Sequence, residues 1–195
     1  MNRNHVLPQV HLPDDLNALR RVDFCAPQSY EGGGFLPISA LPRLEEGVCV
    51  VRDGDGFEWQ VETYFEDSPG SQARHLMDLR LKGRVHLLCQ RCLQDCAVEL
   101  AEKRQFILMA TEEEADAFPM EDDRYEPLVA NQHFDLLAAI EDELLLSLPL
   151  IPKHPDGQCV AHSTVFGDSG AVSQAVEKSD NPFNVLKNIK KSSSR

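Results

Sequence analysis

Hydrophobic and polar positions alternate with a period of two over Phe57, Trp59, Val61, Thr63 and Phe65, with Glu58, Gln60, Glu62, Tyr64 and Glu66 between them. That spacing puts one set on the buried face of a sheet and the other on the opposite face. The pattern resumes in Met77, Leu79, Leu81, Val85 and Leu87, set against Arg80, Lys82, Arg84 and His86. Ala97 to Met109 reads as the return strand, antiparallel across a cysteine-rich turn. Upstream, Val48 to Arg52 is a short β-branched run followed by Asp53-Gly54-Asp55-Gly56, a hairpin signal. Tyr125 to Val129 gives one more short strand. Strands joined by turns, with no helix between them, predict an antiparallel meander or a partly closed small barrel rather than a βαβ sheet.

The period changes after Phe134. Leu136, Leu137, Ile140, Leu144 and Leu148 recur at three- and four-residue steps, the stripe of one main amphipathic helix. Asp135 can accept from the free N–H groups of its first turn, and Pro149 disfavours α geometry at Leu148. Asp142 and Glu143 fall opposite or beside the stripe, while Glu141 sits at its edge and needs a partner. Arg91, whose fork can bind a carboxylate through two bonds, is the expected one. Beyond the helix, Pro149, Pro152 and Pro155 form a stiff extended exit that presents His154 and Cys159. The fold class is therefore α+β.

Three parts are expected along the chain. Residues 1–47 read as an N-terminal extension with short helical segments: Asp14 to Arg21, begun by Asp14, and Ile38 to Glu46, stopped by Gly47. Between them Glu31-Gly32-Gly33-Gly34 reads as a flexible break, and no Gly-Lys-Ser/Thr follows to make it a phosphate loop. Residues 48–160 form the α+β core, interrupted by an acidic, solvated loop from Glu112 to Glu126. Residues 161–195 read as a tail, disordered over 163–180 and ending in a basic amphipathic element. In that element Phe183, Leu186 and Ile189 are helically spaced, with Lys187, Lys190 and Lys191 around them.

Composition narrows the classes. The 195 residues, 42% hydrophobic, suffice for one core of ordinary size, and no apolar run is long enough to span a bilayer. The first residues lack the apolar stretch of a secretion signal, so the six cysteines are expected as thiols or metal ligands in a reducing compartment. A net charge of −13 argues against nonspecific coating of nucleic acid. It leaves open a basic protein partner or a local basic patch hidden in the total.

Three constellations could carry chemistry. Cys89-Gln90-Arg91-Cys92 places two thiols at a tight turn, and His154 with Cys159 could complete a tetrahedral zinc set. Ordinary thiols, a structural zinc site and a redox pair all remain open on the residues alone, the last weakened by hairpin-like rather than helical flanks. The second constellation is the ladder Arg80, Lys82, Arg84 and His86, in a stretch from 74 to 104 with seven Lys or Arg against four Asp or Glu. Such a face could lie on RNA phosphates with His86 or Tyr64 stacking on a base, or it could be a solvated face paired to Glu58 and Glu62. The third, Glu141, Asp142 and Glu143, would need a second cluster to do acid–base or metal chemistry. No hydrolase triad, HExxH or phosphate-loop pattern occurs, so an enzyme is not expected.

Taken in order, the CQRC turn, the acidic loop with Tyr125-Glu126-Pro127, the block IEDELLLSLPLIPKH, Cys159 five residues after His154, and the ending NPFNVLKNIKK resemble the YceD family of large ribosomal RNA subunit accumulation proteins. The resemblance spans roughly residues 75 to 191. It implies a bacterial, cytoplasmic, non-catalytic factor in the synthesis, processing or stability of large-subunit rRNA. It also marks Cys89, Arg91, Cys92, Glu141, Asp142, Glu143, Leu148, Pro149, Pro152, His154 and Cys159 as family positions. Cys25, Cys49 and Cys96 match no family motif and are expected to be ordinary thiols. On this reading the ladder meets rRNA or a pre-ribosomal particle, the acidic loop meets a basic ribosomal or assembly protein, and the C-terminal lysines give a second contact that folds on binding. The alternative is an acidic adaptor, with or without a stabilising zinc, that binds such a protein without touching RNA.

Overall fold

A computed structural model describes residues 8–13, 15–67, 73–119, 122 and 124–159. The expected C-terminal element with Lys187, Lys190 and Lys191 lies outside the described residues. Six strands form one sheet in chain order: β1 (Gln9–His11), β2 (Ser29–Pro37), β3 (Gly56–Glu66), β4 (Arg74–Leu88), β5 (Asp95–Met109) and β6 (Glu126–Val129). β2 to β5 are successively antiparallel, whereas β1 pairs with β2, and β6 with β5, in parallel. The sheet is not closed, so of the two arrangements read from the sequence the meander is the one present in β2–β5.

Helices α1 (Leu16–Leu19), α2 (Pro42–Gly47), α3 (Glu112–Asp116) and α4 (Leu136–Ser147), with a 3-10 turn at Ile38–Ala40, complete the described residues. The main helix falls where the periodicity puts it: the Asp135 carboxylate accepts from Ala138 N, and Leu148 turns extended ahead of Pro149. Leu136, Leu137, Ile140 and Leu144 are buried in one core with Trp59, Val61, Leu79, Leu81 and Phe106 from the sheet. Each such side chain, fully withdrawn from water, contributes about 1.5–3 kcal/mol. Leu12, Leu19, Phe24, Leu36 and Leu44, all before residue 48, belong to the same core. Among the described residues no helix is long and apolar enough to cross a membrane.

Two expectations about the first third are corrected. Glu31-Gly32-Gly33-Gly34 is not a break but part of β2, paired in turn to Glu62, Val61, Gln60 and Trp59 of β3. The glycines are there because the strand is crowded: a Cβ at Gly32 would lie 2.5 Å from Leu12 Cβ, and one at Gly33 2.8 Å from the Trp59 carbonyl oxygen. Val48 to Arg52 is not a strand, so β3 pairs with β2 instead. That segment runs along the end of β4, with Cys49 N donating to the His86 carbonyl at 3.1 Å. Farther along, the acidic loop contains the short helix α3, capped by Thr111.

Candidate functional site

The turn from β4 to β5 is built on Cys89. Its N–H donates to the Gln94 carbonyl (2.8 Å) and its carbonyl accepts from Leu93 N (2.9 Å), closing a tight loop that forces Leu93 into left-handed geometry at φ 56°. A leucine held there costs about 1 kcal/mol or more, and such strain tends to collect at functional sites. The exit from α4 is fastened to this loop, since Gln90 N donates to the Pro152 carbonyl at 2.9 Å. It then turns at Gly157, which supplies φ 84°.

This fastening brings the four candidate ligands together. The Sγ atoms of Cys89, Cys92 and Cys159 and a ring nitrogen of His154 all lie within 4.8 Å of one another. Cys89 Sγ is 3.7 Å from Cys159 Sγ, and His154 Nδ1 is 3.4 Å from Cys92 Sγ and 3.7 Å from Cys159 Sγ. Cys89 and Cys92 are buried, while His154 and Cys159 are partly so. Cys96 is buried beside them but is not one of the four, and Cys25 and Cys49 are exposed.

The electrostatics favour thiolate at Cys89. Burial pushes the Cys89 thiol up, but the backbone N–H groups of His154, Arg91 and Cys92 outweigh it and hold the group at about 5. Burial, and then its sulfur neighbours, push Cys92 up. His154 is raised by its contacts with Cys159 and Cys89. Its other nitrogen, Nε2, donates to the Asp95 carbonyl at 3.0 Å, which leaves Nδ1 with a lone pair facing the sulfurs. Four such donors can hold a soft or borderline cation.

Arg91 is not the partner of Glu141. Its Nε donates to Cys159 Sγ at 2.8 Å, and its other nitrogens reach Asp156 and the carbonyls of His154 and Pro155. Glu141, only 5% exposed, instead caps α2: it accepts from the backbone of Arg43 (2.7 Å) and Leu44 (3.2 Å) and from Arg43 Nε (3.0 Å). Asp142 binds the same guanidinium. Glu143 pairs with Arg104 on β5 at 3.1 Å, and burial, then Glu126, raise its pKa. The three carboxylates thus dock α4 on its neighbours and do not converge on one site.

The ladder on β4 is split. Arg80 and Lys82 are exposed, but Arg84 Nε donates to Asp55 at 3.1 Å. His86 is 6% exposed, with Nδ1 2.7 Å from the other Asp55 oxygen, so its ring is a core group and no stacking surface. The strand register supplies what the sequence reading missed: Lys103 of β5 stands opposite Arg80, and Phe35 of β2, 53% exposed, stands opposite Glu58. Gly33, Gly34, Phe35, Gln60, Arg80 and Lys82 line a shallow groove across this face. Reading β2 as a loop hid Phe35. Lys103 was visible as a lysine but not as Arg80's neighbour.

Residues 77–190 match the family model described as large ribosomal RNA subunit accumulation protein YceD. Over 178 residues the chain is 32% identical to the large ribosomal RNA subunit accumulation protein YceD of Haemophilus influenzae, covering 89% of this chain and 91% of the relative. No solved structure matches. The CQRC turn and the proline exit, now seen to meet in space, and both matches place this chain in the YceD family of large ribosomal RNA subunit accumulation proteins.

Proposed function

We propose that this chain is a non-catalytic factor of ribosome biogenesis that supports the synthesis, processing or stability of large-subunit rRNA, acting in the cytoplasm on that RNA or on an assembling large subunit. The relative's printed name supports the general role. The observation that carries the RNA contact is the meeting of Arg80, Lys82 and Lys103 on the open face of the sheet, in a chain whose net charge is −13. Exposed Phe35 across the groove offers a ring for a base, as single-stranded RNA recognition requires. The C-terminal lysines Lys187, Lys190 and Lys191 would add a second phosphate contact.

The test is sedimentation of the tagged protein with ribosomal particles, with and without RNase, for wild type and an Arg80→Glu/Lys82→Glu/Lys103→Glu variant. Co-migration with immature large subunits that RNase abolishes and the triple variant loses is expected. A second reading rests on α3, whose Glu112, Glu113 and Glu114 are all exposed and suit a basic ribosomal or assembly protein. Co-migration that survives RNase and the triple variant but fails on Glu112→Lys/Glu113→Lys would establish that adaptor role instead.

A further inference from the structure

We infer that Cys89, Cys92, His154 and Cys159 are the full ligand set of a structural zinc ion that pins the proline exit to the β4–β5 turn. The inference does not depend on the rRNA reading. Four ligands at zinc bond lengths of ~2.3 Å for sulfur and ~2.0 Å for nitrogen form a tetrahedron with edges of ~3.8 Å between sulfurs and ~3.6 Å between sulfur and nitrogen. The separations of 3.7, 3.4 and 3.7 Å lie on those edges. A disulfide needs its sulfurs at ~2.05 Å, so the 3.7 Å pair is held apart at the distance of two ligands on one ion.

Three thiolates and one imidazole select zinc over the oxygen-seeking cations, and four protein ligands leave no open position for water or substrate. The surroundings fit this charge. Zinc with three thiolates and a neutral histidine carries one net negative charge, and the Arg91 guanidinium lies on Cys159 Sγ to balance it. The Asp95 carbonyl fixes the histidine tautomer that ligates through Nδ1. Arg91 is therefore a positioning residue of the metal site, which accounts for its place between the two turn cysteines.

Two ligands lie on the turn and two on the exit, over sixty residues later in sequence, so the ion closes a loop that contains β5, β6 and α4. The sheet and the main helix have their own core, and the metal ties down chiefly the segment from Pro149 to Cys159.

The full-length chain, purified without chelator, should carry one zinc by elemental analysis and native mass spectrometry. Cobalt substitution should give tetrahedral absorption with charge-transfer intensity for three thiolates. Cys92→Ser and Cys159→Ser should lose the metal, whereas Cys25→Ser, Cys49→Ser and Cys96→Ser should keep it. Arg91→Gln should keep the stoichiometry with affinity about 10–100-fold weaker. The cobalt spectrum of the wild type guards against variants that fail to fold. Wild-type protein that stays metal-free with six reactive thiols under excess zinc, or a spectrum of two thiolates or fewer, overturns the assignment.

Discussion

Two clusters of buried polar side chains sit near the same end of β4, and they are completed in opposite ways. At Asp55 every group answers another: the carboxylate accepts from Arg52 N at 2.9 Å, Arg84 Nε at 3.1 Å and His86 Nδ1 at 2.7 Å. At Cys89 the facing atoms are of one kind. With a zinc ion bound, three thiolates and an imidazole lone pair would all be acceptors, turned toward the ion rather than toward one another. A network that closes on itself is architecture, whereas one that converges on a point calls for a ligand there. The sequence displays Arg84 and His86 as part of a binding ladder and leaves the cysteines open between thiols, zinc and redox chemistry. The structure buries His86 against Asp55 and gathers Cys89, Cys92, His154 and Cys159 within 4.8 Å of one another.

The comparison breaks first at the metal. If zinc completes the second cluster, chelation should lower the unfolding free energy by about 4 kcal/mol, relative to free zinc a thousandfold above its Kd. Limited proteolysis should then cut between Pro149 and Cys159 before it cuts the sheet. Chelation with no effect on either would make the thiol cluster as self-sufficient as the one at Asp55.

Asp55→Ala tests the other side. It leaves the Arg84 and His86 side chains without their acceptor in a site where the carboxylate is fully buried, and should cost about 3 kcal/mol in urea unfolding while leaving zinc content unchanged. Burial pushes the Asp55 carboxyl up, but the Arg52 N–H, His86 and Arg84 together hold it below the usual range. With the folded value lowered, its contribution is full above the ordinary carboxylate pKa and disappears as the pH falls through the lowered one.

How much of this the sequence shows depends on whether a feature is local. The strands β3, β4 and β5, the helix α4 and the Asp135 cap follow from spacing alone, because period and capping are properties of neighbouring residues. Cys89, Cys92, His154 and Cys159 could be named as one candidate set among several readings of the cysteines, though not their geometry, because the turn and the exit lie some sixty residues apart in sequence. The partner of Glu141 could not be assigned. A helical wheel tells which way the carboxylate points, but Arg43 reaches it only because α2 packs across α4. His86 illustrates the same limit: alternation puts it opposite Leu87, and only the fold of 48–55 over that end of the sheet turns an outward face into a buried one. β2 was missed because glycine opposes strand formation everywhere except where two chains crowd together.

A third buried group sharpens the rule. His75 stacks on Phe65 at 4.2 Å, and among the described residues its buried Nε2 has no hydrogen-bond partner, so there it is completed neither by a neighbouring group nor by convergent donors. Burial lowers its pKa to about 4. Between that value and ~6.5 the unfolded chain takes up a proton that the folded one refuses, so stability should fall as the pH drops through this window. The loss should be about 2 kcal/mol, allowing for its partial exposure. In chemical denaturation from pH 7 to 4, His75→Phe should flatten that slope, and an unchanged slope would assign it to other groups.

The smallest stability effect separates the two halves of the ladder. Arg80 and Lys82 project from the open face and, among the described residues, form no ion pair, so replacing either by alanine should change stability by no more than about 0.5 kcal/mol. Arg84→Ala should cost more, about 1–2 kcal/mol, because it removes a donor from the buried Asp55 carboxylate. Binding should rank them the other way. If Arg80 and Lys82 sit on phosphates of a single-stranded segment, each removal should lower the slope of log affinity against log salt by ~0.7, with no change at Arg84 beyond its effect on folding. Fluorescence anisotropy of labelled rRNA fragments at several salt concentrations reads that slope directly. Equal slopes for all three variants would mean that the exposed half of the ladder is as structural as the buried half, and the RNA-facing surface would have to be sought elsewhere on the molecule.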